Sequence, residues 1–142
     1  MTFSTADAFI DTSGFYALLV KKDLCHEQAR EWLRMASQQQ VRLLTTDYVL
    51  DETATLLKRR GWPQLLPAFF KSVMDSRACR IHWTDSDIFD ETVRFILKHE
   101  DKKWSFTDCL SFVVMARESS VQALTSDAHF DQAGFTRLLH TP

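Results

Sequence analysis

Apolar and polar positions along this chain fall into blocks that read as strands and helices in turn. Ala8-Phe9-Ile10 is a short apolar run closed by Asp11, the pattern of a buried strand. Leu24 to Ser37 sets Ala29, Trp32, Leu33 and Ala36 on one helical face. Val41 to Thr45 reads as a second strand. Asp47 is placed to N-cap the following helix, which runs to Arg60 and stops at Gly61. Leu65, Leu66, Phe69, Phe70 and Val73 recur at helical spacing between Pro63 and Ser76. Arg80 to Trp83 alternates as a third strand, and Asp85 opens a helix that continues through His99. Thr107 to Ser119 is apolar almost all round, the profile of a buried helix. Val121 to Thr125, Asp127 to Ala133 and Phe135 to Leu139 complete the pattern as strand, short helix and strand.

Strands alternating with helices predict an α/β fold with a mainly parallel sheet flanked by helices. The 142 residues suit one domain, 1–142, with only three glycines and three prolines to mark short loops. A net charge of -2 gives no global pull toward nucleic acid, so phosphate binding needs a local patch or bound cations. Cys25, Cys79 and Cys109 are odd in number and scattered. They form neither a disulfide framework nor a zinc spacing, which suggests a reducing, cytoplasmic setting. Met1 to Asp11 shows no leader pattern, and no apolar run is long enough to span a membrane.

Four carboxylates are the candidate chemistry. Asp11 and Asp127 stand after the first and fourth strands, where open α/β sheets gather their ligands. Taken singly, each also suits a turn or helix cap. Glu52 has Val49, Thr53, Leu56 and Leu57 as helical neighbours, which sets a carboxylate on or beside an apolar face. There it is either a boundary residue reaching water or a charge repaid by a cation. Asp51, one residue before, faces the polar side with Asp47, Thr55 and Lys58. Asp108 completes a capping box with Ser105, a role compatible with binding a metal. An acidic set with no histidine or cysteine at matching spacing suits a hard cation, Mg²⁺ or Mn²⁺.

In order along the chain, these residues resemble the PIN-domain nucleases, and among them the VapC-like toxins of toxin–antitoxin pairs. The matching segments are Phe9 to Gly14, Thr46 to Glu52, Ser105 to Phe112, and Leu124 to Phe130 followed by Ala133-Gly134-Phe135. His26 through Trp32 also looks like the family's first helix. The resemblance implies a single PIN-like domain with five parallel strands in the order 3-2-1-4-5. It implies a ribonuclease that cleaves single-stranded or looped RNA with metal-activated water. Asp11 and Asp108 would be the main metal ligands. Glu52 and Asp127 would act through water or hold a second ion, with Thr12 and Thr107 beside them. A small antitoxin and a homodimer are the implied partners. The segment Ser126-Asp127-Ala128-His129 departs from the family, which is often more basic there.

Other readings are a housekeeping RNA-processing nuclease of the same fold and a non-catalytic RNA- or partner-binding relative. An aspartyl phosphotransferase using Asp11 fits less well, because Ser13 stands where such phosphatases want a second acid. Cys109 reads as core and His129 as a surface or capping residue, with a phosphate contact as the sharper option. Trp104 reads as either core edge or a base-stacking platform. Lys58-Arg59-Arg60 and Lys21-Lys22 read as helix-end or loop charges.

Overall fold

The computed structural model describes residues 7–142. The first six residues of the Met1 to Asp11 stretch, read above as lacking a leader, lie outside the described residues. Strand β1 (Ala8–Ile10) is buried throughout and is followed by helix α1 (Thr12–Leu19) and helix α2 (His26–Gln38). Strand β2 (Leu43–Thr46) leads straight into α3 (Asp47–Arg59). A short 3₁₀ turn at Pro63–Leu65 opens α4 (Leu66–Met74). Then come β3 (Cys79–His82), α5 (Ser86–Lys98), α6 (Phe106–Arg117), β4 (Gln122–Leu124), α7 (His129–Gln132) and β5 (Thr136–Arg137). No helix among the described residues is long and apolar enough to cross a membrane.

The five strands are all parallel, in the order β3-β2-β1-β4-β5. The chain walks outward from β1 to β3, then crosses back to set β4 on the other side of β1. The strand order therefore reverses between β1 and β4, and a crevice opens beyond their carboxyl ends. Asp11 N–H donates to the Leu124 carbonyl at 3.2 Å, which holds those two ends together.

Helix α6 is buried from Asp108 to Met115, as its unbroken apolar profile predicts. Phe112, at its middle, meets Trp104, Phe130 and Phe135 with ring centroids 4.9 to 5.6 Å apart. Trp104 is buried in this cluster, and its indole N–H donates to Gln132 Oε1 at 3.0 Å. It is a core residue with a satisfied polar tip, not a platform for bases.

Two local readings change. The segment Thr12–Leu19 is a helix that the periodicity did not show, because Thr12, Gly14, Phe15, Tyr16 and Ala17 are buried on nearly every side. Thr46, not Asp47, caps α3 by accepting from the Val49 N–H at 3.1 Å. Asp47 instead accepts from the Thr84 hydroxyl at 2.6 Å and the Thr84 N–H at 3.2 Å, tying α3 to the entrance of α5. The helix ends at Gly61 as expected, with φ of 82°.

Candidate active site

Each of the acids comes from a different element. Asp11 follows β1 and Glu52 lies on α3. Asp108 is in the first turn of α6, and Asp127 follows β4. All of them line one groove of about 270 Å³ at the crevice between the central strand ends. Asp11 occupies the N-cap position of α1 yet makes no capping hydrogen bond with its side chain. Its Oδ2 accepts instead from the Thr125 hydroxyl at 2.9 Å. The Ser13 and Thr125 hydroxyls lie 3.0 Å apart, and Ser13 Oγ is also within 3.4 Å of Asp11 Oδ2 as a donor. The Asp127 N–H donates to Thr125 and the Ser126 N–H to Ser13, at 3.0 and 2.9 Å. This net locks the start of α1 to the loop after β4, so the carboxylates of Asp11 and Asp127 share one frame.

Glu52 is half-buried, and its Oε1 accepts from the Thr12 hydroxyl at 2.6 Å. The boundary position read from its helical neighbours therefore comes with a fixed orientation. Asp51 is exposed. Asp108 forms the expected capping box: its N–H donates to Ser105 Oγ at 3.0 Å, and its Oδ2 accepts from the Ser105 N–H at 3.2 Å. Thr107 is half-buried beside it, but it is not among the groove-lining residues, and its carbonyl accepts from the Ser111 hydroxyl.

Sequence spacing missed His129. Its Nδ1 faces Asp108 Oδ2 at 3.0 Å and Asp127 Oδ1 at 3.4 Å. Both neighbours are acceptors, so without a cation an Nδ1–H tautomer would donate to them, and a cation bound there would take that proton's place. Among the described residues, Asp108, Asp127 and His129 bring their ligand-type atoms within 4.8 Å of one another. Asp11 and Glu52 line the same groove but lie outside that tight cluster.

Burial raises the Asp11 pKa from 3.8 to about 7, and the nearby charges of Asp108 and Glu52 push the same way. The Thr12 N–H and the Thr125 hydroxyl pull it down but do not win. A carboxyl so placed gains most from a cation, which would replace repulsion with attraction. The carboxylate oxygens suit a divalent cation such as Mg²⁺ or Mn²⁺, and the imidazole of His129, which the sequence reading did not include, suits a transition-metal ion better than Mg²⁺. Burial lifts the Cys109 thiol beside Asp108 to about 11, so it stays protonated at neutral pH.

Residues 8–136 match the family profile of the PIN domain. The chain belongs to the PIN-domain family. This PIN domain is 29% identical over 130 residues to the 23S rRNA-specific endonuclease VapC20 of Mycobacterium tuberculosis, covering 92% of this chain and 96% of that one. It is 30% identical over 125 residues to a VapC ribonuclease of Archaeoglobus fulgidus, covering 87% of this chain and 78% of the relative. Its fold superposes on the crystal structure of Mycobacterium tuberculosis VapC20, described as a sarcin–ricin loop cleaving toxin. The TM-score is 0.83, the identity 28%, and the coverage 94% of this chain and 99% of the other. The resemblance read from the motifs and the strand order implied by it are both met.

Proposed function

We propose that this PIN domain is a cytosolic, divalent-metal-dependent endoribonuclease and the toxin of a toxin–antitoxin pair. The observation that carries the reading is the convergence of Asp11, Glu52, Asp108 and Asp127 on one groove. The relatives named as endonuclease and ribonuclease supply the reaction class. A structured RNA loop is the proposed substrate, with the sarcin–ricin loop of 23S ribosomal RNA as the first to test.

In this reading Asp11 and Asp108 hold the cation, and His129 is close enough to Asp108 and Asp127 to join them. A bound Mg²⁺ or Mn²⁺ supplies an activated water, neutralises phosphate charge and stabilises the departing oxygen. The chain does the positioning. Thr12 fixes Glu52 and Thr125 fixes Asp11, so both carboxylates keep their orientation as RNA enters. Glu52 and Asp127 orient the attacking water or steady a second ion.

The proposed antitoxin has a place to dock away from the acids. An apolar groove of about 770 Å³ is lined by Ile10, Leu33, Phe69 and Val73, with Arg30 and Arg77 also along it. It suits an amphipathic segment with acidic flanks. Exposed Phe70, Met74, Trp83 and Phe89 leave apolar surface for the proposed homodimer. The deciding experiment incubates purified protein with a sarcin–ricin-loop hairpin and with total RNA, in Mg²⁺, in Mn²⁺ and in chelator. Cleavage restricted to the metal-containing reactions is expected. Equal cleavage in chelator removes the metal mechanism.

A further inference from the structure

The groove that holds the acids is lined by Asp11, Asp23, Glu52, Asp108 and Asp127, and among the described residues its one basic lining residue is Arg60. A groove of that charge repels an RNA backbone unless positive charge is supplied along the strand's path. Glu52, Leu56 and Arg60 follow one another at intervals of four along α3 and its C-cap, so they share a stripe. The rise of an α-helix sets Arg60 about 12 Å from Glu52 along that stripe.

Arg60 is held by an aromatic ring and not by a carboxylate. Arg34, Arg42, Arg80, Arg117 and Arg137 each pair with a carboxylate. Among the described residues Arg60 makes no such pair, as is true also of Arg30, Arg59, Arg77 and Arg94; what distinguishes it is its ring contact and its place in the groove. Its guanidinium lies over the ring of Tyr16, with Cζ 4.9 Å from the centroid. Tyr16 is buried in α1, so a fixed aromatic plate supports an exposed cation. Exposed Lys21 and Lys22 follow α1, ahead of the groove residue Asp23, while Lys58 and Arg59 fill the last turn of α3. Of these basic residues Arg60 is the one that lines the groove, and Asp23 lines it too.

We propose that Arg60, seated on Tyr16, is a phosphate-binding residue that grips an RNA backbone phosphate flanking the scissile one. The distance from Glu52 sets it beyond the reacting phosphate. The stacked guanidinium keeps its N–H edge free for two hydrogen bonds to phosphate oxygens, and it is ordered before RNA arrives. A cation there cannot ligate a metal. It lowers the cost of leading a polyanion into an acidic groove. The inference rests on the ribonuclease reading, and the two fail in different ways.

The test measures kcat and KM on a sarcin–ricin-loop hairpin in Mn²⁺ over a series of salt concentrations. Wild type is compared with Arg60→Met, Arg60→Lys and Arg34→Met. Methionine still covers Tyr16, so the change removes charge more than packing. Arg60→Met is expected to raise KM about tenfold and to lower the salt slope by about one phosphate contact, with kcat little changed. Arg60→Lys keeps the slope and loses part of the affinity. Arg34→Met, which removes an arginine paired with Glu31 on α2, behaves as wild type. Wild-type KM and salt slope in Arg60→Met overturn the inference while leaving the ribonuclease reading intact, and so does a loss confined to kcat. A wild-type protein that cleaves neither the hairpin nor total RNA overturns both.

Discussion

At Asp108 a single oxygen serves two purposes. Oδ2 accepts from the Ser105 N–H and also faces His129 Nδ1. Asn at this position keeps an acceptor for the cap but loses the charge that holds a hard cation. Asp108→Asn is expected to remain folded and to lose cleavage by orders of magnitude, whereas the exposed neighbour change Asp51→Asn leaves both nearly intact. RNA cleavage and thermal melting of the two variants, run in parallel, decide this; wild-type cleavage by Asp108→Asn overturns the site. Asp11 carries a pH signature. In the unfolded chain it ionises near 3.8, and in the folded chain near 7. Between those values the folded protein keeps a proton that the unfolded chain has lost. In chelator, stability therefore falls as pH rises from about 4 to 7, by an amount on the order of a few kcal/mol, and levels off above. Melting curves from pH 5 to 8 are expected to show this fall, and Asp11→Asn to flatten it. Added Mn²⁺ is expected to stabilise most at pH 8, where a cation takes the place of the proton. Asp11 and Asp127 were legible in the sequence because strand ends are where such sheets bind. Glu52 was legible as an acid beside an apolar helical face. His129 was not: its partner Asp108 lies 21 residues away, and only the meeting of α6 with the loop after β4 joins them.

At the scale of elements, two glycines are retained for opposite reasons. A Cβ on Gly14 would stand 2.1 Å from the Leu124 carbonyl oxygen. Helix α1 touches the end of β4 through bare backbone there, and that closeness lets Ser13 reach Thr125. Gly14→Ala must push α1 off β4. It is expected to cost about 2–3 kcal/mol or more and to reduce cleavage, because Thr12 and Ser13 move with the helix. Gly61 has nothing within 4 Å of an added Cβ, but its φ is 82°. Gly61→Ala is expected to cost about 1 kcal/mol through backbone strain alone and to leave the cleavage rate of the folded protein unchanged. Urea denaturation beside RNA cleavage separates the two cases; equal effects on cleavage would refute the distinction. The same packing explains why α1 was hidden from periodicity. A helix wedged between α2, α3 and the sheet is apolar on most sides, and its glycine reads as a break. The helices α2, α3 and α5 have one wet face each, and their patterns announced them. The edge strand β5 is ladder-paired only at Thr136–Arg137 within the longer run Phe135 to Leu139, although the Leu138 and Leu139 N–H groups still donate to the Ala123 and Thr125 carbonyls.

For the whole molecule, the apolar groove and the acidic groove are separate surfaces, so a partner in the first does not by itself block the second. The proposed antitoxin therefore has to extend a segment toward the acids, where a basic side chain would replace the cation. Light scattering at micromolar concentration is expected to show a dimer, and a monomer there removes the homodimer proposal. Strand β1, made first, reaches its final setting only when β4 pairs with it, and β4 begins at Gln122. Asp127 comes later still. A chain still on the ribosome therefore lacks its last acid and the neighbour that completes the centre of its sheet until residue 127 has been made. Distance along the chain thus makes the proposed site an all-or-nothing assembly: its four acids meet only once β4 has joined β1.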